Sequence, residues 1–318
     1  MKRLDDLVPD GGTLLLDGGL ATRLEARGHD LSSHLWSAAL LRDNPDAIVE
    51  AHLDHLRAGA DCIISASYQA SQEGFMTLGL SAFEADRLIT SSIELARQAR
   101  ARFLAEQPAG RRQPLVAASC GPWGAVQADG SEYQGRYPVD ATALRDFHYH
   151  RLPVLDEAGA DLIACETLPD HVEAQVLHDL LKLVSTPAWV SFTCKDERHI
   201  RDGTPLRDMA SLFADHPRVV AVGVNCTDPA LVTALIAEVR AGAPNKAVVV
   251  YPNSGEVYDA GEKGWTGHAD PTDWAASTLA WSAAGARLLG GCCRVGPDDI
   301  AAARAALDHP NRPVGDPN

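Results

Sequence analysis

The chain has 318 residues, 46% of them hydrophobic, which supports a large buried core and excludes a disordered protein. A formal charge of −15 would repel the phosphates of nucleic acid and of an anionic membrane surface, so neither is expected as a partner. The start, Met1-Lys2-Arg3-Leu4-Asp5-Asp6, lacks the apolar stretch of a signal peptide, and no run of about 18 apolar residues follows; a cytoplasmic protein is expected.

In chain order, short apolar runs alternate with long amphipathic stretches. The runs fall at 13–17, 61–66, 114–119, 161–165, 188–193, 219–224, 247–251 and 286–289. Continuous apolar runs of this length suit strands buried on both faces of a parallel sheet. Between and after them, 45–59, 81–106, 141–158, 171–184, 229–241, 271–283 and 297–306 carry apolar residues at helical spacing. Eight strand–helix units are what a (β/α)₈ TIM barrel needs, with a doubly wound open sheet as the alternative. The same turn, Ala-Gly-Ala-Asp, closes two helices at 58–61 and 158–161, a hint of a repeated βα unit. No linker divides the chain, so residues 1–308 read as one barrel domain and 309–318, Pro-rich and polar, as a loose tail.

In a parallel barrel the active site lies where the strands end, so the polar residue after each apolar run is the informative one. Asp17 ends the first run, Ser67 follows the second, Glu166 ends the fourth, Asn225 and Cys226 the sixth, and Cys292-Cys293 the eighth. The seven cysteines are an odd number, which argues for buried thiols and a metal or reactive site rather than a disulfide framework. Three thiolates from two strand ends, Cys226, Cys292 and Cys293, would bind Zn²⁺ and leave the fourth tetrahedral position to a ligand. Gly290-Gly291 is expected to let the backbone leave the strand irregularly. A vicinal cysteine pair is also what two small buried hydrophobes look like, and Cys62, Cys120, Cys165 and Cys194 are read that way. Asp17 and Glu166 could each serve only as a turn cap or half of an ion pair, but together on one rim they suit the ammonium of an amino acid. His148, His150 and His268 have no metal-like spacing and are read as surface or packing residues. Tyr68, Trp123, Tyr133 and Trp265 are core or lid aromatics, with cation–π contact to a positively charged molecule as the other possibility.

Gly223-Val224-Asn225-Cys226 followed by Gly290-Gly291-Cys292-Cys293-Arg294 resembles the zinc signature of the homocysteine S-methyltransferases. So, in order, do Leu16-Asp17-Gly18-Gly19-Leu20-Ala21-Thr22, Ala66-Ser67-Tyr68-Gln69-Ala70, Asp129-Gly130-Ser131-Glu132-Tyr133, Cys165-Glu166-Thr167-Leu168-Pro169, Asp202-Gly203-Thr204-Pro205-Leu206 and Tyr251-Pro252-Asn253-Ser254-Gly255-Glu256. The resemblance is nearest to the stand-alone branch that uses S-methylmethionine. It implies a (β/α)₈ barrel, Zn²⁺ on Cys226, Cys292 and Cys293, and Asp17 and Glu166 at the homocysteine amino group; Ser67 and Asn225, by their strand-end places, are read as further substrate-binding residues. S-adenosylmethionine or betaine as donor, selenocysteine as acceptor, and a non-catalytic zinc-binding barrel remain the alternatives. Nothing in the sequence fixes the oligomeric state.

Overall fold

The alternation of side chains along each apolar run settles which face of the sheet it builds. Leu14 and Leu16, Ala117, Leu162 and Ala164, and Val249 point to one interior cluster, around Trp189. Their neighbours Leu15, Val116, Ile163, Val190 and Val248 point the other way, into the larger layer under the helices. Both faces are therefore apolar, as a parallel sheet covered by helices requires.

The computed structural model describes residues 7–8, 12–31, 40–106, 112–259, 264–266 and 273–310. Its strands are β1 (Leu14–Leu15), β2 (Cys62–Ile64), β3 (Leu115–Cys120), β4 (Leu162–Leu168), β5 (Ala188–Phe192), β6 (Val219–Asn225), β7 (Ala247–Tyr251), β8 (Val257–Asp259), β9 (Gly264–Thr266) and β10 (Ala286–Leu289). Eight of them form one parallel sheet in the order β1-β10-β7-β6-β5-β4-β3-β2, and a parallel bridge from Leu16 to Cys62 joins its two edges. The sheet is closed, so the fold is a (β/α)₈ TIM barrel and not an open doubly wound sheet. The remaining strands, β8 and β9, make a small antiparallel hairpin. No helix among the described residues is long and apolar enough to cross a membrane.

The helices follow their periodicity. Ala82–Glu106, the longest, buries Ala85, Ile89, Ile93, Ala96 and Phe103 on one stripe. Helix Leu206–Phe213, which supplies the layer between β5 and β6, was not expected from the sequence, although Leu206, Met209, Ala210 and Phe213 lie buried at helical spacing. Eight residues behind a turn-rich segment give too short a periodic window to stand out. The hairpin of β8 and β9 was likewise unanticipated. The helix expected over 171–184 stops at Leu180, and the one expected from Pro229 starts with a 3₁₀ turn before Val232–Gly242. Of the expected tail, residues 311–318 lie outside the described residues.

The repeated Ala-Gly-Ala-Asp turn performs one job twice. Gly59 and Gly159 take left-handed φ of 117° and 82°, reversing the chain at the helix end. The following aspartates stand at the starts of β2 and β4 and tie each to the strand before it in sequence: Asp61 Oδ2 accepts from Leu15 N (3.0 Å) and Asp161 Oδ2 from Val116 N (2.9 Å). Each is paired with an arginine from a helix, Arg304 and Arg100 respectively.

Candidate active site

At the opposite end of the barrel the chain leaves the strands through residues that are polar, irregular and buried. Cys226 follows β6 directly in a left-handed conformation (φ 45°), its N–H bonded to Tyr251 O at 3.3 Å. Cys292 donates its N–H to Pro252 O (2.8 Å), and Ser254 N donates to Cys293 O (3.1 Å), which fixes the vicinal pair against the chain leaving β7. The two glycines before the pair allow this by close approach and not by unusual φ, since neither has a positive φ. A Cβ on Gly290 would lie 2.6 Å from Leu16 Cβ, and one on Gly291 2.1 Å from Val295 Cγ1.

The Sγ atoms of Cys226, Cys292 and Cys293 all lie within 4.8 Å of one another, with Cys292 and Cys293 4.0 Å apart. Thiolates on a tetrahedral zinc stand about 3.8 Å apart, given Zn–S bonds near 2.3 Å, so the set fits a metal of that kind. Cys226 is buried and the other two are half-buried, lining a pocket at this rim. Hydrogen bonds from the thiols of Cys226 and Cys293 hold the Cys292 thiol well below its ordinary pKa, so the cluster favours a thiolate there. A second group within metal-binding reach, Asp170, His171 and Asp202, has its oxygens already taken. Asp170 accepts from Arg136 N, Val172 N and Glu173 N, and Asp202 from His171 and Thr204 N.

Of the two expected carboxylates Glu166 lines this pocket, and Asp17 lies buried just behind it, next to the pocket-lining Gly18. Asp17 Oδ2 accepts from Ile64 N at 2.9 Å, continuing the β1–β2 seam, while Oδ1 is buried with no partner among the described residues. Burial, aided by the charge of Glu166, raises its pKa well above the usual carboxylate range despite that hydrogen bond. Glu166 lies on the inward face of β4, in step with Leu162 and Ala164. A bulge then breaks the register between Cys165 and Leu168, with Thr167 at φ 62°. Glu166 accepts from the Ser119 hydroxyl, and burial pushes its pKa up to about 8 against that hydrogen bond, with the nearby Cys292 charge adding to the rise.

Ser67 and Asn225 lie behind the pocket wall. The Ser67 hydroxyl donates to Ser119 O (2.7 Å), and Asn225 Oδ1 accepts from Thr167 N (2.7 Å) while its Nδ2 donates to Thr167 Oγ1 and approaches Cys292 Sγ at 4.0 Å. Tyr68 and Tyr133 line the pocket; Trp123 packs against Tyr137 at 5.1 Å. The side chain of Trp265, like all of His268, lies outside the described residues. His148 is fully buried, 2.8 Å from Glu173, and so serves packing, whereas His150 is exposed. Cys62, Cys120, Cys165 and Cys194 are buried, as expected of small hydrophobes. Sequence reasoning passed over Ser119 and Tyr251, which line the pocket beside Glu166. Their signal was parity: each is two residues beyond an inward apolar residue, Ala117 and Val249.

Barrel, rim acids and converging thiols define a (β/α)₈ enzyme with a thiol set fit to hold a metal beside a small-molecule pocket. The homocysteine S-methyltransferase family model matches residues 14–307. The chain is 51% identical over 294 residues to the homocysteine S-methyltransferase of Escherichia coli, covering 92% of this chain and 94% of that one. It is 47% identical to the homocysteine S-methyltransferase YbgG of Bacillus subtilis, covering 90% and 92%. The solved structure of the homocysteine methyltransferase MmuM from Escherichia coli in its metallated form superposes with a TM-score of 0.86 at 47% identity, covering 96% of this chain and 99% of that one. The chain therefore belongs to the homocysteine S-methyltransferase family.

Proposed function

We propose that this protein transfers a methyl group from S-methylmethionine to the thiol of L-homocysteine, with zinc held by Cys226, Cys292 and Cys293. The observation that carries the reading is the convergence of three thiols beside two buried rim carboxylates, one of which, Asp17, keeps an oxygen without a partner among the described residues. The names of the two bacterial relatives and the metallated state of the neighbouring structure support it. When bound, zinc would hold a coordinated thiol deprotonated near neutral pH, where a free thiol with a pKa of about 8.5 is mostly protonated.

The chain's own residues bind and orient. Asp17 and Glu166 receive the α-ammonium of homocysteine, which sets its thiol toward the cysteines; an arriving cation also favours the ionised form of both acids. Ile64 N and the Ser119 hydroxyl fix the two carboxylates in place. Asn225 acts from behind by holding Thr167, and Ser67 by holding the β3 end through Ser119. In the transfer the homocysteine sulfur forms a bond to the methyl carbon as the methyl–sulfonium bond of the donor breaks, its electron pair staying on the departing sulfur. The thiol proton is released to solvent and both products are methionine. A sulfonium suits the site because a neutral thioether leaves more readily than a tertiary amine would from betaine. A site shaped around two amino-acid-sized molecules would disfavour the adenosyl group of S-adenosylmethionine. The seven cysteines, none of them bridged, fit a reducing compartment, so a cytoplasmic location goes with the reading.

The test is kcat/KM for S-methylmethionine, betaine and S-adenosylmethionine with zinc-loaded protein at saturating homocysteine, and again with selenocysteine as acceptor. S-methylmethionine should lead by at least about tenfold, or ~1.4 kcal/mol in transition-state binding. Equal use of betaine would overturn the donor, and no turnover with any donor would favour a non-catalytic barrel.

A further inference from the structure

Among the buried carboxylates one is not explained by the site so far. Glu132 sits in the 3₁₀ turn Ser131–Tyr133 and is only 8% exposed, yet its Oε2 is buried with no hydrogen-bond partner among the described residues. Other buried acids nearby have at least one oxygen held: Glu166 by Ser119, Glu173 through Oε1 by Trp123 N and His148 although its Oε2 also lacks a partner among the described residues, and Asp170 and Asp202 by backbone N–H groups. The arginine nearest in sequence, Arg136, turns away and donates both Nε and Nη2 to Asp202 O. An isolated buried charge is costly, and such groups persist where something else supplies the partner.

The loop that carries Glu132 is also held in an expensive shape. Ala128, Gly130, Gly135 and Arg136 all have positive φ, between 53° and 83°, and two of them are not glycine. Tyr133, next to Glu132, lines the pocket together with Tyr68. The Glu132 charge is felt at both hydroxyls, and burial raises its own pKa to about 7.

We infer that Glu132 is a specificity-determining residue for the methyl donor, receiving a cationic α-ammonium group beside Tyr68 and Tyr133. The assignment rests on S-methylmethionine being the donor. It separates the two amino groups of the reaction, with Asp17 and Glu166 taking that of the acceptor and Glu132 that of the donor. Recognition of a donor by an amino group remote from the transferred methyl adds selectivity over sulfonium compounds that lack one.

The experiment compares S-methylmethionine with its deaminated analogue, a dimethylsulfonio butanoate, in wild type and Glu132→Gln. Wild type should prefer the amino-bearing donor by about ten- to a hundredfold in kcat/KM, as expected for a charge-assisted hydrogen bond to a buried carboxylate. Glu132→Gln should erase that preference by lowering S-methylmethionine use alone, with the analogue, the KM for homocysteine and zinc content unchanged. Its melting temperature without substrates should equal or exceed that of wild type, because a buried unpaired charge has been removed. No preference in wild type, an equal fall with both donors, a raised homocysteine KM, or a destabilised variant would each overturn the assignment. Absence of wild-type turnover with S-methylmethionine alongside turnover with another donor would instead break the donor reading, and this assignment with it.

Discussion

At the seam between β1 and β2 two aspartates do matching work at opposite ends of the barrel. Asp61 accepts from Leu15 N with Oδ2, and Asp17 accepts from Ile64 N with Oδ2. The ends then diverge. Asp61 is neutralised by Arg304, as Asp161 is by Arg100, so the charges at that rim are closed among themselves. Asp17 has no such cation: its Oδ1 is buried and unpartnered among the described residues, and it is joined at its rim by Glu166 and three thiols. The same residue type at the same seam is thus structural where the protein supplies the counter-charge, and where it does not an oxygen is left open to a ligand's cation, the role proposed for Asp17.

The strongest way to break the comparison is at the thiols. Replacing Cys226, Cys292 or Cys293 by Ala should lower turnover by at least about a thousandfold, since a catalytic zinc site keeps only three protein ligands. Metal content measured on the same samples should fall with it, while wild-type activity in Cys292→Ala would refute the site. Chelation should remove activity before it removes the far-ultraviolet circular dichroism signal, because the large core does not depend on this rim.

Next in size are the rim acids. Glu166→Gln and Asp17→Asn should each raise the KM for homocysteine by about ten- to a hundredfold and leave zinc bound. Release of metal with KM unchanged would make the carboxylate a ligand or its support. The mirror variant, Asp61→Ala, should leave KM alone and cost about 1–3 kcal/mol of stability, since it strands Leu15 N and takes from Arg304 one partner, leaving it Gly59 O and Asp308. A raised KM in Asp61→Ala would erase the distinction between the ends.

The smallest effect lies in helix Pro45–Ala58, one turn from His55, whose Nδ1 accepts from the pocket-lining Gly18 N. Burial holds His52 neutral, its pKa lowered to about 3, with the charge of His55 adding to the fall. The unfolded chain takes up that proton below pH ~6.5 and the folded one does not, so this contribution is full above pH 6.5 and is lost progressively as pH falls toward 3. Denaturant titrations of His52→Leu should show a shallower loss of stability across that window than wild type. An identical slope would mean that His52 is protonated in the fold.

How much of this the sequence disclosed depended on the physics of each feature. The barrel was legible because its strands are apolar on both faces, and the repeated Ala-Gly-Ala-Asp turn was legible because a left-handed glycine and an aspartate have a local cause. Leu206–Phe213 was not, since two helical turns carry too little periodicity. Cys226 with Cys292 and Cys293 could be picked out by strand-end position, but the reason for Gly290-Gly291 could not. It is contact with Leu16 and Val295, residues far or out of phase in the chain. Glu132 was quoted only within a motif, because a missing partner is a fact about three dimensions.

Thiol activation at this rim requires that a substrate sulfur join the three cysteines. Zinc-edge X-ray absorption on the zinc-loaded protein, with and without homocysteine, reads this from the number of sulfur neighbours at about 2.3 Å. The prediction is three sulfurs and one lighter atom in the absence of homocysteine and four sulfurs in its presence. A sulfur count that homocysteine does not change would contradict thiol activation at this rim.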